Sequence, residues 1–124
     1  MNIMQNKVNK RALGSEKEQV AAAFLEQQGY QILQKNYRCK IGEVDLIARH
    51  GEYLVFVEVK YRKNDRIGSP EEAVTPAKQK RISKVCVWYL RENHLSLDTP
   101  CRFDVVAVSQ EEVRIYQNAF PYRG

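Results

Sequence analysis

Apolar residues recur along this chain with two different periods, and the change of period marks where its elements lie. "SEKEQVAAAFLEQQGY", residues 15 to 30, carries Ala21, Phe24, Leu25 and Gln28 on one stripe of a 3.6-residue repeat, which predicts a helix. Ser15 stands at its start as an N-cap with Glu18 three residues on, the capping-box spacing, and Gly29 ends it. "YQILQKNYRCK" then reads as a strand. "GEVDLIAR" and "EYLVFVEVK" read as two more, joined as a hairpin around His50 and Gly51. Residues 61 to 74, "YRKNDRIGSPEEAV", form a polar loop with room for one helical turn after Ser69-Pro70. Thr75 and Pro76 open a second helix as N-cap and first helical residue. Ile82, Val85, Cys86, Tyr89 and Leu90 fall at the spacing of one buried face. "CRFDVVAVS" is a fourth strand, and "EVRIYQNAF" a short edge strand or tail.

The resulting order is helix, three strands, helix, strand. It implies an α/β fold, a mixed sheet covered by helices on both faces. At 124 residues the chain suffices for one compact domain with its own core, assigned to residues 14–124 behind a flexible basic tail, 1–13. There are no internal repeats and no low-complexity segment.

Composition changes the picture in three ways. A formal net charge of +5 favours a polyanionic partner, nucleic acid before membrane. Cys39, Cys86 and Cys101 are odd in number and widely spaced, which matches neither a disulfide framework nor a zinc site and suits free thiols in a reducing compartment. No stretch has the apolar length of a signal peptide or of a membrane span, so the expected location is the cytoplasm.

The candidate chemistry sits at the end of the third strand. "LVFVEVKYRK" is apolar enough to be buried, yet it carries Glu58 and Lys60. Buried charge is costly unless it is paired or holds a metal. Strand side chains alternate faces, so Glu58 and Lys60 share one. With an even hairpin loop, either His50-Gly51 or Arg49 to Glu52, Asp45 faces Phe56 and lies diagonal to Glu58. Val44, Leu46, Val55, Val57 and Val59 then fill the opposite face. Two carboxylates so placed suit Mg²⁺ or Mn²⁺ with positions left for water and a substrate phosphate. A neighbouring lysine can orient water or neutralise phosphate charge. The plainer alternative is an ion pair at the sheet's rim.

Asp, then about a dozen residues, then Glu-X-Lys resembles the PD-(D/E)xK nuclease superfamily, whose restriction-endonuclease-like core has the element order read above. "GEVDLIA", "VFVEVKYR", "AVTPAKQKR" and "RFDVVAV" in sequence resemble the bacterial YraN-like family, uncharacterised proteins proposed to be endonucleases, over residues 14 to 120. The resemblance implies a metal-dependent nuclease, with Asp45 and Glu58 as ligands and Lys60 as the catalytic lysine. Similarity to archaeal Holliday-junction resolvases adds a first-helix glutamate, for which Glu18 is the candidate; the capping box is its competing role. It also implies branched DNA as a substrate and a homodimer, in whose interface, or in the core, Trp88 would fall. Val44 stands where the superfamily has proline. Glu43 shares the face of Asp45 and reads as a solvated strand-end carboxylate. Gln79 resembles a glutamine that related nucleases place near the metal, with a surface role as the alternative.

For the nucleic acid, Arg38, Lys40, Tyr61, Arg62, Lys63, Lys78, Gln79 and Arg81 are the expected contacts, with Arg66, Lys80 and Lys84 nearby. Tyr37 and Tyr61 are candidates for stacking on bases. Lys78 and Lys80 oppose the dipole of the second helix, which points to a partner for them. Arg102 and Asp104 read as an internal ion pair, and His50 and His94 receive no role. A catalytically inactive nucleic-acid-binding module on the same fold is the rival reading.

Overall fold

The computed structural model describes residues 16–62, 74–110 and 112–124. Helix α1 spans 16–27. It is followed by β1 (Gln31–Arg38), β2 (Glu43–His50), β3 (Tyr53–Tyr61), α2 (Pro76–Glu92), β4 (Cys101–Val108) and β5 (Val113–Tyr116). The five strands form one sheet in the order β1-β2-β3-β4-β5. Pairing is antiparallel except between β3 and β4, which run parallel with α2 in their connection. This is the mixed sheet expected, and β5 is an edge strand within it. The N-terminal tail, Ser15 and its capping box, and most of the polar loop with Ser69-Pro70, Lys63 and Arg66 lie outside the described residues.

One helix covers each face. Ala21, Ala22 and Leu25 of α1 pack with Leu46, Ala48, Val55, Val57, Val106 and Val108. The side chains Ile82, Val85, Cys86, Tyr89 and Leu90 of α2 pack with Ile47, Leu54, Phe56, Phe103 and Val105. The α2 stripe is as expected. That of α1 is not: Phe24 is half-buried and Gln28 exposed, while Ala22 is buried. Small residues let this helix lie close to the sheet, so the apolar stripe turns by one position. Trp88 is half-buried against the α2-side core. Cys86 and Cys101, distant in sequence, both pack at this core, and all three cysteines are free.

The hairpin loop is even, as the convergence of charges requires, but it is Gly51-Glu52, closed by His50 opposite Tyr53. Gly51, at φ +60°, takes the first of the two turn positions, where a tight hairpin needs a left-handed residue. Relative to a loop centred on His50-Gly51, the register shifts by two residues. Leu46 lies opposite Val57 and Ile47 opposite Phe56, so Asp45 does not face Phe56 and lies beyond the last pair, on the side of Glu58.

The face assignment holds for Leu46, Val55 and Val57, which lie under α1. It fails for Val44, which pairs with Tyr37 of β1 and enters the α2-side core with it. Tyr37 is itself buried, edge-on to Tyr89 at 5.2 Å between ring centroids, and its hydroxyl donates to Glu92 Oε1 at 3.2 Å. It therefore cannot stack on a base.

Candidate active site

The paired register of β2 and β3 stops at Leu46 and Val57, although the strands run on to Glu43 and Tyr61. Beyond that point they part. The Val59 N–H, which in a continuing ladder would bond a β2 carbonyl, donates instead to Asp45 Oδ2 at 2.8 Å. Asp45 thus closes the end of the ladder with its side chain, and its carboxylate is held between the two strands. On the far side β3 stays paired with β4 along its length, so Glu58 is fixed opposite Val105 and Lys60 opposite Ala107.

Glu58 is 3 % exposed. Its Oε2 is the one buried side-chain polar atom among the described residues that makes no hydrogen bond of ordinary geometry. The Lys78 ammonium rests against it as an ion pair. Burial raises the Glu58 carboxyl to about 7, helped by the neighbouring Asp45 charge and opposed by Lys78. Lys60, half-buried, is shifted downward by burial and then by the Lys78 ammonium, against the pull of Glu58. Lys78 is lowered by burial but raised by Glu58, Lys60 and Asp45 together, and its net shift is upward. Asp45, Glu58, Lys60 and Lys78 therefore form one cluster of two acids and two bases.

Lys78 arrives there from the first turn of α2. Thr75 caps that turn, its Oγ1 accepting from the Lys78 N–H at 3.2 Å, and Pro76 sits at the first helical position. The helix has no acidic residue in its first turn. A cation against the helix dipole is explained by Glu58: the partner lies in this chain. Sequence reasoning placed Lys78 among the polyanion contacts and missed this link, although the unfavourable dipole position was its signal. Lys80 is exposed.

Glu18 approaches from α1. It is half-buried, and burial raises its carboxyl, offset by a hydrogen bond from Asn36, with Asp45 and Glu43 adding repulsion. Asn36, at φ +53°, lies just after an irregularity in β1 between Ile32 and Gln34, and asparagine tolerates that left-handed geometry. Among the described residues no three His, Cys, Asp or Glu side chains gather at metal-binding spacing. The acidic core of the site is the pair Asp45 and Glu58, with Glu18 near it. A pair is enough for Mg²⁺, which keeps several waters and commonly takes one or two carboxylates plus substrate phosphate. A buried carboxylate whose counter-charge is a half-exposed lysine, beside a second carboxylate, suits such a hard dication.

The remaining candidates divide. Arg38, Glu43, Lys78 and Arg81 line one cleft of about 680 Å³ beside Gly42. Arg38 and Glu43 are exposed and paired at 3.1 Å. Lys40 and Tyr61 are exposed and Arg62 half-buried; the Lys17 ammonium lies 4.2 Å from the centre of the Tyr61 ring. Gln79 is not the surface residue of its alternative reading. It is buried, donating through Nε2 to Val74 O at 2.9 Å and accepting at Oε1 from Arg123 Nε at 2.6 Å. Its amide ties α2 to the segments on either side and is committed there.

No helix among the described residues is long and apolar enough to cross a membrane. Comparison with known proteins adds the relationship. A protein of Lachnoclostridium phytofermentans is 54% identical over 117 residues, covering 94% of this chain and 99% of that one. One of Syntrophus aciditrophicus is 56% identical over 92 residues, 74% and 72% of the two chains. Both are described as UPF0102 proteins. A crystal structure of SSO0001 is similar with a TM-score of 0.46 and 14% identity, over 96% of this chain and 56% of that one. Residues 17–108, which hold every member of the acid–base cluster, match the family described as uncharacterised protein family UPF0102, and the chain belongs to that family.

Proposed function

We propose that this protein is a metal-dependent nuclease of the PD-(D/E)xK type, hydrolysing phosphodiester bonds of nucleic acid, with branched or structured DNA as the favoured substrate. One observation carries the reading: Asp45 and Glu58 converge where β2 and β3 part, with Lys60 beside them and the Glu58 carboxylate buried. Asp45 and Glu58 would hold Mg²⁺ or Mn²⁺, with Glu18 at the margin. A bound dication there polarises the phosphodiester. Lys60, kept partly out of water and shifted toward its neutral form, orients the attacking water and meets charge developing on the phosphate.

The Lys78–Glu58 ion pair favours a second reading, because a site that never holds metal needs such a counter-ion. On that reading the protein binds nucleic acid without cleaving it. Incubating wild type, Asp45→Asn and Lys60→Met with Mn²⁺ and labelled branched, duplex and single-stranded DNA separates the two. Cleavage by wild type alone supports the nuclease. Equal DNA binding by all three with no cleavage under any metal condition supports the binding module and removes the catalytic assignment.

A further inference from the structure

Lys78 stands between two environments. On one side its ammonium contacts buried Glu58; on the other the same residue lines the cleft formed by the β1–β2 turn and the first turns of α2. That cleft is rich in cations. Arg38 and Arg81 line it with Lys78, and Glu43 is its one acidic wall, already paired to Arg38. Gly42 shapes its floor. A Cβ at that position would fall 2.9 Å from Arg81 Cδ and 3.0 Å from Arg81 Cγ, so the absence of a side chain lets the arginine stem lie against the turn. Arg81 is thereby held at the cleft beside Lys78, one helical turn on. Two arginines and a lysine around an open cleft suit the forked, charge-assisted recognition of a phosphate group.

The charges of the neighbouring cluster add a constraint. Two carboxylates are balanced by two ammonium groups, Lys60 and Lys78. A dication entering alone leaves the cluster with two excess positive charges in a partly buried place, and it must also compete with Lys78 for Glu58. A phosphodiester entering the cleft brings negative charge and gives Lys78 a second partner. Each ligand therefore removes the obstacle to the other.

We propose that the cleft of Arg38, Lys78 and Arg81 is a phosphate subsite, and that Lys78 passes from Glu58 to the phosphate as a divalent cation takes its place, so that cation and phosphodiester bind cooperatively. The inference rests on the metal-binding reading of Asp45 and Glu58, and goes beyond it in making Lys78 the coupling residue. Lys78 is a positioning residue here: it acts on the cation by occupying or releasing Glu58.

The test is Mn²⁺ binding, followed by loss of the free-ion EPR signal at pH 8, with and without a 5′-phosphorylated dinucleotide whose own Mn²⁺ affinity is subtracted. Wild type is expected to bind Mn²⁺ weakly alone and at least about tenfold more tightly with the dinucleotide. Lys78→Met keeps the aliphatic stem and removes the charge. It is expected to bind Mn²⁺ alone at least about tenfold more tightly than wild type, with most of the dinucleotide's effect gone. Lys78→Arg, which keeps the charge, is expected to restore the coupling. Lys78→Met with the affinity and dinucleotide effect of wild type overturns the inference while leaving the metal site intact. Absence of Mn²⁺ binding in every variant, with or without dinucleotide, overturns the metal reading and the inference with it.

Discussion

The two faces of this sheet each bury a carboxylate beside a cation, one step apart on the paired strands β3 and β4, and they do it in opposite ways. On the α1 side Asp104 is fully buried on β4. Its Oδ2 accepts from the Tyr30 hydroxyl at 2.7 Å and from Arg102 at 2.9 Å, and its Oδ1 accepts from Arg102 Nε and the Asn118 N–H, each at 2.9 Å. The Tyr30 hydroxyl accepts in turn from Arg102 at 3.0 Å and Gln117 at 3.1 Å. His50, stacked on Tyr30 with 4.1 Å between centroids, faces Arg102 through Nδ1 at 2.9 Å. On the α2 side Glu58 has only the Lys78 ammonium against Oε2, with the Asp45 carboxylate beside it. The first carboxylate is enclosed by donors and is part of the frame. The second relies on one lysine, 38% exposed and able to turn away, and can take a ligand in its place. A buried charge points to function when its valences are incomplete, not merely because it is buried.

Truncating the two carboxylates should separate these roles most sharply. Asp104→Ala leaves the Arg102 guanidinium, whose side chain is 12% exposed, without its partner. The expected loss of unfolding free energy is about 3–5 kcal/mol, measured by urea denaturation. Glu58→Gln should change stability by less than about 1 kcal/mol, or raise it, because Lys78 is 38% exposed and can turn to water. The same substitution should abolish metal binding. If both variants lose comparable stability, the two faces carry equivalent structural ion pairs and the contrast collapses.

The next largest effect concerns pH. In the folded protein the Glu58 carboxyl is raised from its ordinary 4.5 to about 7. Between those values the native state holds a proton that the unfolded chain has released. Stability from this group is therefore complete below pH 4.5, falls as pH rises through 7 and is flat above, a loss on the order of 3 kcal/mol. Subtracting the pH–stability curve of Glu58→Gln from that of wild type should isolate this slope. Adding Mn²⁺ should reverse its sign, since the cation stabilises the ionised form. A difference curve that is level from pH 4.5 to 7.5 would mean Glu58 is charged throughout and firmly paired.

Tyr30→Phe tests the enclosed carboxylate more gently. It removes one hydroxyl that serves Asp104, Arg102 and Gln117, and should cost about 1–2 kcal/mol by the same denaturation measurement. Lys60→Met beside the open carboxylate should alter stability by less than about 0.5 kcal/mol while removing turnover of labelled DNA. A Lys60 variant that unfolds more readily than the Tyr30 variant would place Lys60 in the frame.

How much of this was legible beforehand follows from the kind of interaction involved. Alternation and helical spacing carry the faces of strands and helices, so the approach of Asp45 to Glu58 and the buried stripe of α2 could be read from the chain. So could the Arg102–Asp104 pair, two residues apart on one strand. Hairpin register depends on which residue takes the left-handed turn position, and Gly51 took the first place, moving every partner by two. Contacts between distant elements carried weaker signals. Nothing in the sequence links Lys78 to Glu58 except the awkwardness of a cation at a helix start. Nothing links His50 to Tyr30 and Arg102, and His50 was accordingly given no role. Tyr37 and Gln79 look like surface contacts by type, yet their burial is decided by what packs over them: α2 in one case, the C-terminal segment and Val74 in the other.

The smallest stability effect is expected at Arg38, and it sharpens the comparison from outside both networks. Arg38 and Glu43 form an ion pair with side chains 78% and 61% exposed. Water screens such pairs, and Arg38→Ala should change unfolding free energy by less than about 0.5 kcal/mol. If Arg38 contacts a phosphate, the same change should weaken nucleic-acid binding at low salt and reduce the slope of log K against log salt by about 0.7–0.9. Glu43→Ala should act oppositely on binding, because it frees Arg38 and removes the acidic wall of the cleft. A matched pair of variants, silent in denaturation and opposite in affinity, would assign the cleft to the ligand. Equal and small effects of both on affinity would return Arg38 and Glu43 to the solvated surface and narrow the ligand-binding region to Lys78, Arg81 and the carboxylate pair.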